Sequence, residues 1–328
     1  MPSVASLAKT LLEPPPYHSG GVWLNRAGWQ LARTLPHHAM HALRRPRGGA
    51  AVADLVAAAE NDGILVIRNF LPEGDFARLV AYCQALAQSA AMRREENRAG
   101  SGVDWLYGPI AGTDAATQWV RERIALNDVL LGVVAGIVRR PIVRAPQMGY
   151  QRLTMREGAD YIADAEAVLH ADRHFPTVKA YYSLNASTED NGAYVWVRGS
   201  HRLTLARLAH EYDYSVRQAM FAKGGADALP AAASEAGMVT IAPEHLAAMG
   251  VKEEAIITEP NTMVISNNFG FHRRGYFQAG AVREQIRLVF HYLEEPFYAT
   301  WLWRGLAALE ARRMLPERLR RAVQYRLT

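Results

Sequence analysis

Short, strand-like segments separated by turns dominate the second half of the chain, and they limit the possible folds more than any other feature. After Pro141, β-branched and aromatic residues cluster in runs that end at glycine, proline or asparagine. The runs are IVRAPQMGYQRLTM, TVKAYYSLN, AYVWVRGS, EAIITE, TMVISNN and EQIRLVFHYLE. Several such runs in one stretch predict a β-sandwich or barrel.

The region from Ala51 to Pro141 has helical periodicity instead. AVADLVAAAENDG predicts a helix ended by Gly63, ILVIRNF a strand, and PEGDFARLVAYCQALAQ a helix with proline at its start. TDAATQWVRERIALNDVLLGVVAGIVRR predicts one long helical run, and LARLAHEYDYSVRQAMFAK a helix within the β-rich region. GGADALPAAASEAG has the composition of a surface loop or lid. We expect the preceding helices to pack on the outer face of the β structure.

Composition and charge divide the chain into three predicted parts. Half of the residues are hydrophobic and 21% are charged, which is typical of a globular protein with a substantial core. We predict a basic N-terminal extension over 1–50, containing one amphipathic helix, and a β-rich domain with helical support over 51–295. A basic amphipathic helical segment is predicted over 296–328. The net charge is +5, and much of the arginine excess lies near the two ends of the chain.

The single cysteine, Cys83, excludes a disulfide framework and a zinc–cysteine site. Its helical context predicts a small buried hydrophobic residue. The sequence has neither an uncharged apolar run of roughly 20 residues nor the pattern of a secretory signal. A cytoplasmic protein, with a peripheral membrane contact as a further option, is the expected location.

A His-x-Asp motif stands immediately before the run TVKAYYSLN. In a strand, residues two apart project to the same side, so the side chains of His170 and Asp172 can converge on one metal ion. Two imidazoles and one carboxylate are the usual ligands of a non-haem iron that keeps open coordination positions. His272, after the run TMVISNN, is the candidate third ligand. As a bare tripeptide, His-x-Asp is equally compatible with a surface turn or a hydrogen-bonded core histidine.

Two arginines follow His272 in the sequence. Arg287 lies within the predicted strand EQIRLVFHYLE, and Arg283 immediately precedes it. Arg283 and Arg287 are four positions apart in an extended segment, so they share a face. A guanidinium binds a carboxylate through two parallel hydrogen bonds, so a buried arginine near an iron site suits a dicarboxylate cosubstrate.

Four separated pieces of the chain resemble the phytanoyl-CoA dioxygenase family of Fe(II)- and 2-oxoglutarate-dependent oxygenases. The pieces are DGILVIRNFLPEGDFARL, HADRHFP, STEDNGAYVWVRGSHR and FHRRGYFQAGAVREQIRL, within about Asn61 to Leu293. The resemblance implies a mainly β fold with flanking helices, built on a double-stranded β-helix (a jelly roll, cupin-like).

The resemblance also assigns roles to individual residues. It implies His170, Asp172 and His272 as iron ligands and catalytic residues, and Arg283 as the anchor of the far carboxylate of 2-oxoglutarate. Arg287 is the alternative anchor, and Tyr181 falls where the family places an aromatic residue beside the cosubstrate. One position departs from the family, because Arg274 stands where a small hydroxyl residue is frequent.

The remaining histidines receive less specific predictions. His174 is expected in the pocket or beside the metal ligands, with fixation of the loop before Pro176 as the alternative. His201 is expected to be a structural turn residue. His37, His38 and His41 lack a carboxylate or cysteine at ligand spacing, so they are expected at the surface rather than in a metal site.

The implied activity is hydroxylation of an unactivated C–H bond of a small-molecule or lipid-like substrate. The cofactors are Fe(II), 2-oxoglutarate and O2, and 2-oxoglutarate is decarboxylated to succinate and CO2. Because Asp172 is present, halogenation is not expected. The alternative is a metal- or small-molecule-binding β-helix protein with a vestigial iron site and no oxygenase activity.

The expected partner is a small-molecule or lipid-linked substrate. The basic segment 301–326 combines tryptophan and leucine with arginine, so it is either a helix that meets an anionic membrane or a helix packed on the barrel with a solvated arginine face. Nucleic acid is not expected, because no recognised binding motif accompanies the positive charge.

Overall fold

Two antiparallel β-sheets form the centre of the computed structural model, which describes residues 21–140, 142, 146–162, 165–221 and 238–290. The larger sheet has seven strands in the order β1-β10-β6-β12-β4-β3-β2, and the smaller sheet has five in the order β8-β5-β11-β7-β9. The strands are β1 (Ile64–Ile67), β2 (Arg93–Glu95), β3 (Val103–Pro109), β4 (Gln147–Met155), β5 (His170–Ala171), β6 (Val178–Ser183), β7 (Tyr194–Val197), β8 (Val239–Thr240), β9 (Glu253–Ile256), β10 (Thr262–Asn267), β11 (His272–Arg274) and β12 (Val282–Val289).

The order of the strands identifies the fold as a double-stranded β-helix. Strands β4, β12, β6 and β10 are neighbours in one sheet, and β5, β11, β7 and β9 are neighbours in the other. The chain therefore crosses between the sheets repeatedly, as in a jelly roll. The predicted fold class, mainly β with flanking helices, is confirmed, and no family likeness is needed to establish it.

The helices lie before and between the strands. They are α1 (Val22–Arg26), α2 (Trp29–Leu43), α3 (Ala53–Asp62), α4 (Glu73–Ala87), α5 (Ala115–Val120), α6 (Asp128–Val138), α7 (Leu205–Phe221) and α8 (Pro243–Met249). The predicted end of α3 is confirmed, because Gly63 adopts the left-handed conformation (φ 74°) that closes the helix. None of the helices in the described ranges is long and apolar enough to cross a membrane.

The prediction of one long helix over 113–140 is wrong. A π-helical turn, Arg121–Ala125, follows α5, and α6 begins only after Asn127. The Asn127 side chain accepts hydrogen bonds from the backbone N–H groups of Val129 and Leu130. This N-cap starts a new helix where the hydrophobic pattern alone continues through the break.

One apolar cluster joins the helices to the outer face of the larger sheet. It includes Leu79 and Cys83 of α4, Val133 of α6, and Tyr182 and Ile286 of the sheet, all of them buried. The expectation of a buried Cys83 is therefore confirmed, and burial raises the pKa of its thiol to about 12. The packing of these helices on the sheet agrees with the prediction from sequence.

The N-terminal helices pack on α7. Gln30 of α2 donates a hydrogen bond to the Glu211 carboxylate (3.0 Å), and the Tyr212 hydroxyl donates to the Arg26 carbonyl (3.0 Å). Residues 21–43 thus form two helices, where the sequence predicted one amphipathic helix in an irregular segment. The predicted loop 224–237 and the predicted helical segment 301–326 lie outside the described residues.

The turn before β7 provides a sharp test of this fold. Gly192 has a positive φ (75°), and a Cβ at this position would lie 1.9 Å from the buried ring of Phe277. Gly158 also has a positive φ (69°), but a Cβ there would meet nothing within 4 Å. We expect Gly158→Ala to lower the free energy of unfolding by about 1–2 kcal/mol through backbone strain alone. Gly192→Ala should cost roughly 2 kcal/mol more through overpacking.

Chemical denaturation of the two variants measures this difference. Equal losses in the two variants would contradict the close approach of Gly192 to Phe277.

Candidate metal centre

The pairing of β5 with β11 brings the two predicted histidine ligands together. His170 and His272 are direct partners in this antiparallel ladder, and their ring centroids are 4.6 Å apart. Asp172 follows β5 by one residue. A single pair of strands thus brings together two histidines that are about one hundred residues apart in the sequence.

The three side chains, called the triad below, converge on one point. One ligand atom from each lies within 4.8 Å of the others. Nε2 of His170 is 3.7 Å from Asp172 Oδ1, and Nε2 of His272 is 3.5 Å from Asp172 Oδ2. Two imidazole nitrogens and a carboxylate oxygen at this spacing can bind a divalent transition metal. Among the described residues, the triad is the one group of this kind.

Backbone carbonyls orient both imidazoles. Nδ1 of His170 lies 2.7 Å from the Val168 carbonyl, and Nδ1 of His272 lies 3.1 Å from the Gly270 carbonyl. Because a carbonyl only accepts, each Nδ1 carries the proton and donates it. The Nε2 lone pair is then left for a metal, as is usual for ligating histidines.

Ionisation states in the triad also suit a metal. Burial, together with the charge of His272, lowers the pKa of His170 to about 4, so this imidazole is neutral at pH 7. Burial alone would raise the pKa of the Asp172 carboxyl. The Lys179 ammonium and the two histidines outweigh burial and hold that pKa well below its usual range. The group therefore offers a neutral imidazole at His170 and a carboxylate at Asp172, the forms in which these side chains bind a metal.

Lys179 and Asn268 hold Asp172 in place. The Lys179 ammonium lies 2.6 Å from Asp172 Oδ2, and the Asn268 amide donates a short hydrogen bond to the same oxygen. Ser266 donates to Asn268 Oδ1 (3.1 Å), which fixes the orientation of the amide. The sequence analysis missed both residues. A signal for Lys179 existed, because it alternates with Tyr181 and so points inward from a strand.

A cavity beside the triad, called the triad cavity, is bounded by the inner faces of both sheets. Arg283, Gln285 and Arg287, at alternate positions of β12, line it together with His170 and His272. Five arginines contribute to its wall, and they are Arg98, Arg273, Arg274, Arg283 and Arg287. Glu166, from the short 3-10 helix before β5, also lines it and was not anticipated from the sequence.

The two candidate anchor arginines differ in their surroundings. Arg283 is buried, and its Nε has no hydrogen-bond partner in the described part of the chain. Burial, with the nearby charge of Arg274, lowers its pKa to about 10. Arg287 is half-buried and also lines a second cavity of about 660 Å³. Arg283 is thus the more enclosed of the two.

Tyr181, the predicted aromatic residue, and Arg274 both line the triad cavity. Tyr181 lines it and packs on Tyr194 (ring centroids 5.3 Å apart), which in turn packs on His272. Arg274 is buried, and both it and Arg283 have their guanidinium groups within 6 Å of the Phe277 ring centre. Arg274 therefore places a second guanidinium beside Arg283.

The other histidines are placed outside the triad. His174 is buried beside His37 and Phe175 (ring centroids 5.5 and 4.9 Å), and His201 lies 2.9 Å from the Glu60 carbonyl. The expectation that His37, His38 and His41 lie at the surface is wrong. His37 is buried and His38 and His41 are half-buried, because α2 turns this side toward the protein.

Comparison with known proteins gives fold-level likenesses only. No family model and no curated protein matches the chain. Three similar solved structures have descriptions that mention iron, nickel or 2-oxoglutarate. The epimerase SnoN, in complex with Fe3+, alpha ketoglutarate and nogalamycin RO, is 15% identical, with a TM-score of 0.49 over 73% of this chain and 83% of that chain.

The other two structures are similarly distant. HygX from Streptomyces hygroscopicus, with nickel and 2-oxoglutarate bound, is 16% identical, with a TM-score of 0.42 over 72% of this chain and 85% of that chain. EctD from S. alaskensis, with bound Fe, is 19% identical, with a TM-score of 0.44 over 77% of this chain and 86% of that chain. All three scores are below 0.5, so the site must be argued from the geometry of this chain.

Metal titration tests the triad directly. We expect one divalent cation such as Co(II) or Ni(II) to bind per chain. His170→Ala or His272→Ala should weaken binding by more than about 100-fold. Loss of a residue that only orients a ligand typically costs roughly 10- to 100-fold in metal affinity, and loss of the ligand itself should cost more. Isothermal titration calorimetry provides the measurement. His201→Ala, which removes a half-buried histidine outside the triad, is the control and should bind as the unaltered protein does. Equal affinity in all three variants would contradict the assignment.

Proposed function

We propose that this protein is an Fe(II)- and 2-oxoglutarate-dependent dioxygenase related to the phytanoyl-CoA dioxygenase family. Its proposed reaction hydroxylates an unactivated C–H bond of a small-molecule or lipid-like substrate and converts 2-oxoglutarate to succinate and CO2. The observation that carries the proposal is the triad, whose two histidines line a cavity that is also lined by the buried Arg283. The solved structures described above bind related groups, and this agrees with the proposal without carrying it.

The donor set fits iron. His170 and His272 would each supply Nε2, and Asp172 would supply a carboxylate oxygen. Three ligands of this kind leave coordination positions for a cosubstrate and for dioxygen, which distinguishes the set from a closed structural zinc site. The Val168 and Gly270 carbonyls, which accept from the two imidazoles, and the Asn268 amide, which donates to Asp172, pre-orient all three ligands. Little reorganisation is therefore needed when the metal binds.

The cavity fits a dicarboxylate. Arg283 is buried, and its Nε has no hydrogen-bond partner in the described part of the chain. Burial lowers the pKa of Arg283 and the Glu166 carboxylate acts in the opposite direction, but an unsatisfied buried N–H is still costly. The carboxylate of 2-oxoglutarate remote from the metal would add negative charge beside Arg283 and accept this N–H. We assign Arg283 rather than Arg287 to this role because Arg283 is more enclosed, and Arg274 adds positive charge beside it.

Iron and 2-oxoglutarate, when bound, would supply the oxidising chemistry that transfers one atom of dioxygen to a C–H bond. The chain's own residues bind, orient and exclude water. Lys179 and Asn268 hold the Asp172 carboxylate, while Tyr194 and Trp196 pack against the His272 ring and shield it. We place Tyr181 beside the cosubstrate, since it lines the triad cavity together with Arg283.

A small-molecule or lipid-linked substrate is also part of the proposal, and nucleic acid is not. The wall of the triad cavity concentrates arginines, but they line an interior space rather than a surface groove that could follow a nucleic-acid backbone. The position that is oxidised depends on the substrate. Release of succinate in the presence of candidate lipids, sugars and amino acids would identify the class of the substrate.

Anaerobic spectroscopy separates an oxygenase from a vestigial site. Fe(II) and 2-oxoglutarate added without oxygen should give the weak visible charge-transfer band of the metal–keto acid chelate, because the triad leaves two adjacent positions for the keto acid. The band should be absent in His170→Ala and retained in the His201→Ala control. If the unaltered protein binds the metal but shows no band, the oxygenase proposal fails. That result would favour the alternative of a metal-binding β-helix protein without oxygenase activity.

Substitution of the two arginines tests the assignment of the anchor. Arg283→Ala should raise the apparent Kd for 2-oxoglutarate, read from the same band, by roughly 100-fold, since a buried hydrogen bond to a charged group contributes on the order of 1.5–3 kcal/mol. Arg287→Ala removes the same group from the more open position and should raise the Kd by less than about tenfold. The reverse order of effects would make Arg287 the anchor.

A further inference from the structure

Helix α2 is amphipathic in the opposite sense from a surface helix of a globular protein. Its exposed side is apolar and includes Leu35, Met40 and Leu43, with 44%, 37% and 82% of their surface accessible. The small residues on this side are also exposed, and they are Ala32, Ala39 and Ala42. At 3.6 residues per turn, these positions and the half-buried Leu31 and Pro36 cover about half of the circumference. No polar side chain interrupts this surface, called the α2 face below.

The polar side of the same helix faces the protein. Gln30 donates to the Glu211 carboxylate, Arg33 donates to the Gln30 amide oxygen (3.3 Å), and His41 lies 2.7 Å from the Ile137 carbonyl. His37 stacks on Phe175, with ring centroids 4.7 Å apart, and His38 packs on Phe269 at 4.3 Å. These contacts fix the rotation of the helix, so the α2 face cannot turn inward without breaking them.

An apolar helix face turned to water needs a physical reason. A surface helix normally places its apolar stripe on the core, and a large apolar patch on a soluble protein usually marks a binding surface. Trp23 of α1, the helix that precedes α2 and contacts it, is 54% exposed. Tryptophan is the residue that most favours the boundary between lipid headgroups and acyl chains.

The charge around the α2 face has one sign. Between Gly21 and Ala53 the sequence contains five arginines and no aspartate or glutamate. Arg26, Arg45 and Arg47 are exposed, and Arg44 is half-buried. Three of these arginines lie within the four residues after Leu43, so positive charge lies at the end of the apolar surface. Apolar side chains flanked by arginine and tryptophan complement an anionic lipid headgroup layer.

We propose that the α2 face docks flat on the surface of an anionic membrane. Leu35, Met40 and Leu43 would enter the acyl-chain boundary, while Arg45 and Arg47 would contact anionic headgroups. A second copy of the chain fits less well, because a two-fold contact through the same patch would bring its arginines against one another. The proposal does not depend on the metal centre, and it concerns a segment different from the predicted basic helix 301–326.

Docking at this position would bring the metal centre close to the lipid. The buried side of α2 contacts Phe175 and His174, in the loop that begins with the metal ligand Asp172. One helix therefore separates that loop from the proposed membrane surface.

Co-sedimentation of the full chain with vesicles tests the proposal. We expect binding to vesicles of phosphatidylcholine and phosphatidylserine at low salt, and at least about tenfold weaker partitioning onto phosphatidylcholine alone. Leu35→Gln/Met40→Gln/Leu43→Gln should reduce partitioning at least about tenfold, because it removes the buried apolar area. Arg45→Glu/Arg47→Glu should abolish the preference for phosphatidylserine.

A matched control comes from exposed apolar residues elsewhere. Leu126, Ile257 and Leu205 are 43%, 47% and 86% exposed, close to the three residues of the α2 face. Their triple substitution by Gln should leave partitioning unchanged. Since all six positions are exposed, both triple variants should keep the thermal midpoint of the unaltered protein, which shows that a loss of binding is not a loss of fold.

A probe on the helix reports its contact with lipid. Cys83 is buried, so a polarity-sensitive fluorophore attached to Ala39→Cys labels the α2 face selectively. Its emission should shift to the blue on anionic vesicles, whereas a label at Leu205→Cys should not respond. If the α2 triple variant binds vesicles as the unaltered protein does, the membrane contact belongs to another segment. If the unaltered protein does not bind vesicles, there is no membrane contact. If the unaltered protein does not bind vesicles but forms a dimer that the α2 triple variant does not form, the α2 face contacts a second copy of the chain. Each of these results overturns the proposal.

Discussion

The register between β5 and β11 is the constraint on which the candidate site depends. His170 opposes His272 in this ladder, and His272 also opposes Trp196 in the ladder with β7. A shift by one residue would turn His272 to the opposite face of the sheet and separate the two imidazoles. Neighbours on both sides of β11 prevent this shift, because Trp196 is completely buried and its indole N–H donates to the Asp62 carbonyl. A three-residue strand can therefore position a candidate metal ligand accurately.

Electrostatics of the triad cavity favour an anionic ligand. Its wall contains five arginines and one carboxylate, Glu166. Asp172 lies nearby, and outside the wall Glu253 pairs with Arg273 (2.6 Å) and Glu95 with Arg98 (3.6 Å). Asp172 is already shared between Lys179 and the two histidines, and metal binding would engage it further. Glu166 has its pKa lowered despite burial, mainly by Lys179 and His170. Positive charge in excess of these carboxylates makes a dianionic cosubstrate electrostatically suitable, whereas a cationic one would add to the repulsion.

How much was predictable from sequence depended on the range of the interactions. Local patterns predicted α3, α4, α7 and the longer strands, and the motif spacing placed His170, Asp172 and His272 in one hypothesis. Strands β5, β8 and β11 have two or three residues each, too few for an alternating pattern to be recognised. Lys179 and Asn268 were missed because their role depends on the fold around Asp172. The error over His37 had another cause, since hydrophobic periodicity gives the faces of a helix but not which face is buried.

The burial of the polar side of α2 is consistent with the energetics of the interior, although it reverses the usual arrangement. A buried polar group is tolerated when it is hydrogen-bonded, and Gln30, Arg33 and Thr34 each have a bonded partner. Burial holds the pKa of His37 at about 4, so this imidazole stays neutral and can stack on Phe175. These bonds satisfy much of the polar side, whereas the exposed apolar residues gain nothing from the interior. The stabilisation still available to α2 lies at its exposed face, where a lipid boundary would supply it.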